Sequence, residues 1–168
     1  MIVNWFQLNK KSLISDFIIM AIDTGCRTWE LQKLEWRDVM ENCSHIMLRD
    51  KKNGQTGRVP LLKRSADIMR ERKERGLHMP FEGLSGTKFI NNWKKMRTAL
   101  GYKYNPECIL HVMRHTFATR LAMHNTPELK MMLCRGNLTP SRVKRYAHLN
   151  VNHLEDVMIS LEGFLAPA

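Results

Sequence analysis

Apolar residues recur at helical spacing along most of this chain, and the polar positions between them predict where each helix stops. Over residues 12–23, Leu13, Phe17, Met20 and Ala21 share one face while Ile14, Ile18, Ile19 and Ile22 widen it, so this helix is expected to be buried on most sides and to end at Thr24-Gly25. Leu31 and Leu34 predict a short helix over residues 29–36, with Glu30, Gln32 and Lys33 facing away. The helical period stops at Asn42. Residues 45–48 and 57–61 read as two extended runs around Lys51-Lys52-Asn53-Gly54-Gln55, where Asn-Gly accepts the positive φ of a hairpin turn. Ser65 is expected to cap a charged helix over residues 66–75, stopped by Gly76. The mixed signs from Arg70 to Arg75 fall at helical spacing and read as a solvated face. Thr87 opens a helix whose Phe89, Trp93, Met96 and Leu100 form a core stripe closed by Gly101. Further helices are predicted over 110–124, from Thr126-Pro127-Glu128 to about Gly136, over 141–147 after Thr139-Pro140, and over 152–161. The expected fold is mainly α with a small antiparallel β-sheet or hairpin.

No repeat, low-complexity tract or flexible linker interrupts the pattern, and 168 residues suit a single domain spanning 1–168. Apolar residues at 43% and charged residues at 26% leave no case for wholesale disorder. Charge changes the picture more: 27 Lys and Arg against 16 Asp and Glu give a formal net charge of +11, which favours a polyanionic partner. Ribosomal, membrane-surface and DNA-binding proteins all share that excess. The four cysteines, Cys26, Cys43, Cys108 and Cys134, contain no CxxC pair, so neither a zinc ribbon nor a disulfide framework is indicated and a reducing compartment is expected. The apolar run 17–22 is far below the ~20 residues needed to span a bilayer. With no signal-peptide pattern either, the expectation is a cytoplasmic protein without a membrane partner.

Several clusters could carry chemistry. Cys108-x2-His111-x3-His115 has metal-like spacing but no evident fourth ligand. No Cys/His nucleophile pair is indicated, and the carboxylates are scattered over helix faces. Basic residues in unusual places give a more economical reading. Arg27 follows Thr24-Gly25-Cys26 at a helix start, where the positive end of the dipole disfavours a cation unless an anion is recruited. Glu30, one turn later, can orient that arginine or cap the helix. Lys52 projects from the hairpin turn. His111 and Arg114, three apart on a helix, share a face. Tyr146 ends Lys144-Arg145-Tyr146, a basic surround that favours the phenolate. Each residue alone has an ordinary structural explanation. Together they describe a phosphoryl-transfer site: guanidiniums bind non-bridging oxygens, lysine and histidine move protons, and a tyrosine hydroxyl attacks phosphorus without a metal.

At this point the chain resembles the tyrosine recombinases, or phage-type integrases. Thr24-Gly25-Cys26-Arg27-Thr28-Trp29-Glu30-Leu31 is similar to that family's TGxRxxEL box, and Lys52 through Val59-Pro60-Leu61 to its hairpin. His111-Val112-Met113-Arg114-His115-Thr116-Phe117-Ala118-Thr119 resembles its HxLRHTFAT box, and Arg145-Tyr146-Ala147-His148-Leu149 its RYAHL box. The boxes appear in the family's order and span residues 24–149.

The resemblance implies that Arg27 and Arg114 clamp the scissile phosphate, that Lys52 (with Lys51 its rival) protonates the leaving hydroxyl, that His111 assists proton transfer, and that Tyr146 is the nucleophile. Glu30 reads as structural, and His115 as a core residue or one supporting the site. Gly136-Asn137 stands nine residues before Tyr146, where the family usually has Gly-His; the amide of Asn137 can donate a hydrogen bond but cannot act as an acid or base. Implied, too, are site-specific recombination of double-stranded DNA with no cofactor, a DNA-bound synaptic tetramer, accessory DNA-bending proteins, and a bacterial or archaeal cell or its virus or mobile element as the setting. The family's separate core-binding domain is expected to be absent from this chain, and the tail at about 150–168 resembles the family's C-terminal helix. Two alternatives stand beside this: a catalytically degenerate DNA-binding domain, and a relaxase similar to type IB topoisomerases.

Overall fold

The computed structural model describes residues 1–49, 56–124, 126, 127 and 130. Helices α1 (Ile2–Leu8), α2 (Ser12–Thr24) and α3 (Thr28–Gln32) are followed by a 3-10 turn, Trp36–Asp38, and by strands β1 (His45–Arg49) and β2 (Thr56–Pro60). Helices α4 (Lys63–Glu74), α5 (Gly86–Ala99) and α6 (Val112–Met123) complete the described elements. The expected fold class is therefore the observed one. The chain divides into two compact units, Met1–Phe117 and Ala118–Ala168, and the main hydrophobic core belongs to the first.

That core is organised around α2, whose Ile14, Phe17, Ile18, Met20 and Ala21 are all buried, as its nearly unbroken apolar sequence requires. Phe17 meets the edges of Phe81 and Phe89 at centroid separations of 5.0 and 4.9 Å. Phe89, Trp93 and Met96 form the buried stripe of α5, and the Trp93 indole donates to the Cys108 carbonyl at 3.2 Å. Ser85, two residues earlier than expected, caps α5 by accepting the Lys88 N–H at 3.1 Å.

Three local differences from the sequence expectations have identifiable causes. Helix α1 lies in a segment for which no element was predicted; Phe6 is buried there and Trp5 packs edge-on to it. The helix expected over 29–36 stops at Gln32 because the Asp38 carboxylate accepts the Glu35 N–H at 3.2 Å and starts a separate turn, while the Trp36 indole donates to the Leu77 carbonyl at 2.7 Å. Ser65 does not cap α4: it lies inside that helix, fully buried, and its hydroxyl donates to Asp23 at 2.8 Å.

The charged face of α4 is also less uniform than expected. Lys63 and Arg70 pair with Asp67, and Arg75 with Glu71, at the surface. Arg72, by contrast, is buried, donating to the Pro80 carbonyl and to Asp16 (3.2 Å) and lying over the Phe81 ring. Strands β1 and β2 form an antiparallel pair with His45 opposite Pro60 and Arg49 opposite Thr56, matching the expected extended runs. The turn carrying Lys51 and Lys52, and the helices expected over 141–147 and 152–161, lie outside the described residues, as does most of the one expected from Thr126 to Gly136. Among the described residues no helix is long and apolar enough to cross a membrane.

Candidate active site

Arg27 owes its position to the sharp connection between α2 and α3. The Thr24 hydroxyl donates to the Met20 carbonyl at 2.6 Å and accepts the Cys26 N–H at 3.3 Å, which ties the end of α2 to the loop that follows. Gly25 then turns the chain at φ +64°, a conformation costly for residues with a Cβ. Space imposes the same choice, because a Cβ there would lie 2.3 Å from Phe117 Cδ1. Cys26 is buried, and loss of hydration pushes its thiol up to about 12, so it stays neutral and is no nucleophile near pH 7.

Arg27 is extended (φ −71°, ψ 146°) and sits at the N-cap position of α3. Its backbone N–H donates to Glu30 Oε2 at 2.6 Å, and its guanidinium Nη1 donates to Glu30 Oε1 at 2.8 Å. Glu30 thus performs both roles weighed from the sequence, satisfying an otherwise orphaned N–H and orienting the arginine. The Glu30 side chain is only 11% exposed and that of Arg27 34%, so the carboxylate that holds the guanidinium is nearly buried while the arginine side chain stays partly open to solvent.

Arg114, from the first turn of α6, reaches the same loop: its Nη1 donates to the Gly25 carbonyl at 2.6 Å. His111, exposed, immediately precedes α6. Arg27, His111 and Arg114 line one recess, whose apolar wall includes Trp29, Leu110 and Met113. Two guanidiniums and an imidazole around a half-open recess can bind a tetrahedral anion by several oxygens at once. Trp29 is among the lining residues to which the sequence assigned no role in the site; its signal, an indole two positions after the arginine at a helix start, was legible but has an ordinary packing explanation.

The other expected site residues, Lys52, Asn137 and Tyr146, lie outside the described residues. His115 is exposed, which corrects its reading as a core residue; α6 buries Met113 instead. Among the described residues no three His, Cys, Asp or Glu side chains are grouped to hold a metal ion: Cys108 is buried whereas His111 and His115 are exposed.

Comparison with known proteins gives a consistent picture. The catalytic domain of bacteriophage HP1 integrase superposes with a TM-score of 0.67 at 22% identity, covering 86% of this chain and 79% of that one. The Tn1549 transposon integrase, solved in complex with circular intermediate DNA, gives 0.69 at 19% identity over 94% of this chain and 61% of that one. XerH site-specific recombinase bound to difH substrate gives 0.68 at 18% identity, over 88% of this chain but only 46% of that one. Such identities establish the fold. No curated protein sequence gives a significant match. Residues 7–153 match the sequence profile of the phage integrase family, a range that contains all four motifs and every residue lining the recess. The chain belongs to that family and has the fold of tyrosine recombinase catalytic domains.

Proposed function

We propose that this chain is the catalytic domain of a site-specific recombinase that cuts and rejoins double-stranded DNA through a covalent 3′-phosphotyrosine at Tyr146. The observation that carries the reading is the convergence of Arg27, His111 and Arg114 on one recess. Arg27 and Arg114 hold the non-bridging oxygens of the scissile phosphate and neutralise the charge that grows in its pentavalent transition state. The Tyr146 oxygen attacks phosphorus in line, its proton leaving with the help of His111. A phosphorus–oxygen bond forms to tyrosine as the bond to the 5′-oxygen breaks, and Lys52 protonates that leaving oxygen. Attack by a 5′-hydroxyl from a partner duplex reverses the step. One phosphate ester is exchanged for another throughout, so no nucleotide cofactor is consumed. Asn137 donates a hydrogen bond to a phosphate oxygen where the family usually has histidine, and this slows cleavage without preventing it. Strand exchange between two duplexes requires several protomers, which assemble as a tetramer on DNA, with DNA-bending proteins assisting. The setting is the nucleoid of a bacterial or archaeal cell or a mobile element within it.

The test is incubation with supercoiled plasmid at low salt, followed by denaturing electrophoresis. A covalent protein–DNA adduct is expected from the native chain and a larger yield from Asn137→His, with none from Tyr146→Phe, which keeps its DNA affinity. Adduct formation by Tyr146→Phe would remove Tyr146 from the reaction. Silence of both the native chain and Asn137→His, with DNA affinity intact, would favour a DNA-binding role. Arg114→Ala should weaken both binding and cleavage, and normal cleavage by that variant would exclude it from the site.

A further inference from the structure

Trp29 shares the recess with Arg27, His111 and Arg114 and keeps 39% of its surface exposed, although buried apolar residues are plentiful elsewhere in the first unit. An indole that remains partly in water beside two guanidiniums is a surface for a ligand with both an anionic and an apolar part. Building on the reading of the recess as a phosphodiester site, we propose that Trp29 is a substrate-binding residue that packs against the deoxyribose next to the clamped phosphate. The chemistry of the ligand argues for the sugar. Beyond its own oxygens, the nearest atoms to the phosphorus of a phosphodiester are the C3′ and C5′ carbons of the flanking sugars. Bases in an intact duplex are stacked on one another, so their faces are closed to a side chain. With the phosphate oxygens on Arg27 and Arg114, the apolar wall of Trp29 and Leu110 is what remains to meet those carbons. The indole then adds affinity that depends on the nucleic acid's carbon skeleton rather than on its charge.

The experiment measures binding of the full chain, at fixed salt, to a mixed-sequence 30-base-pair DNA duplex and to long-chain inorganic polyphosphate, which supplies phosphate charge without sugar. Trp29→Ala should weaken duplex binding roughly fivefold, the effect of losing one buried face of an indole. It should leave polyphosphate binding unchanged, and Trp29→Phe should restore most of the duplex affinity. Tryptophan fluorescence, read as native chain minus Trp29→Phe, should respond to the duplex and not to polyphosphate. Equal loss toward both ligands, no loss toward either, or failure of Trp29→Phe to rescue would overturn the proposal. Arg27→Ala separates this from failure of the underlying reading. If that variant binds both ligands like the native chain, the recess is not a phosphate site and both proposals fall; if it loses both while Trp29→Ala changes neither, only the sugar contact is wrong.

Discussion

At the scale of single residues, the feature that matters most is that both arginines of the recess are held before any ligand arrives. Arg27 is held by the Glu30 carboxylate, and Arg114 by the carbonyl of Gly25, 89 residues away in the chain. A long side chain that is already oriented spends less conformational entropy when it grips a phosphate. Glu30 also neutralises part of the charge it orients, so its two effects on the binding of an anion oppose one another. Glu30→Gln keeps an acceptor for the Arg27 N–H and removes the negative charge; the expected outcome is DNA affinity held or raised while the rate of adduct formation falls several-fold, a split that binding and single-turnover cleavage assays measure together. Gly25 is the more fragile residue. Gly25→Ala must tolerate φ +64° and a Cβ 2.3 Å from the Phe117 ring. The left-handed conformation alone costs roughly 1–2 kcal/mol. Chemical denaturation should show at least that loss, with cleavage falling further because both arginines are anchored through this loop.

Elements are locked together by buried polar groups as much as by apolar packing. Asp23, at the end of α2, accepts from Arg64 Nε at 2.6 Å and from the Ser65 hydroxyl at 2.8 Å, so the helix that leads into the Arg27 loop is tied to α4. Asp23→Ala leaves the Ser65 hydroxyl buried without this acceptor and should cost about 1–3 kcal/mol in unfolding experiments. The Arg72–Asp16 pair between α4 and α2 behaves differently. Burial holds the Asp16 carboxyl above its ordinary 3.8 despite Arg72 beside it, so burial costs its charged form more than Arg72 returns. A carboxyl raised in the folded state adds stability below its unfolded pKa, and that stability is lost as pH rises through the folded value. Asp16→Ala alone should destabilise by stranding a buried cation. The double variant Asp16→Asn with Arg72→Met should be neutral or stabilising near pH 7, its advantage over the native chain shrinking below pH 3.8; equilibrium unfolding at both pH values checks this. None of these ties was readable from periodicity. Ser65 looked like a cap and Arg72 like one charge in a solvated run, because a helical wheel records which residues share a face and not what that face meets.

For the whole molecule the governing quantity is the net charge of +11. On the proposed function, binding to duplex DNA releases condensed counterions, and the logarithm of affinity should fall linearly with the logarithm of salt concentration, by about 0.9 per phosphate neutralised. Titrations between roughly 50 and 200 mM salt should give a steep slope for the native chain. Arg27→Ala or Arg114→Ala should each reduce that slope by about 1, whereas Trp29→Ala should lower affinity at every salt concentration and leave the slope alone. A salt-independent affinity would mean that the basic excess serves some purpose other than phosphate contact.

The sequence by itself determined a good deal: the mainly helical fold with its β hairpin, the basic character, and the residues gathered in the four motifs. These depend on local spacing and on residue chemistry, both of which are written along the chain. The burial of Ser65 and Arg72, the Trp36–Leu77 contact after α3 and the exposure of His115 were decided by tertiary structure alone. Each rests on a partner distant in sequence or on packing that no local pattern encodes. The recess belongs to the same class. Arg27 and Arg114 were identifiable one by one, but the hydrogen bond from Arg114 to the Gly25 carbonyl, and the place of Trp29 beside them, exist only because folding closes the loop after α2 onto the first turn of α6.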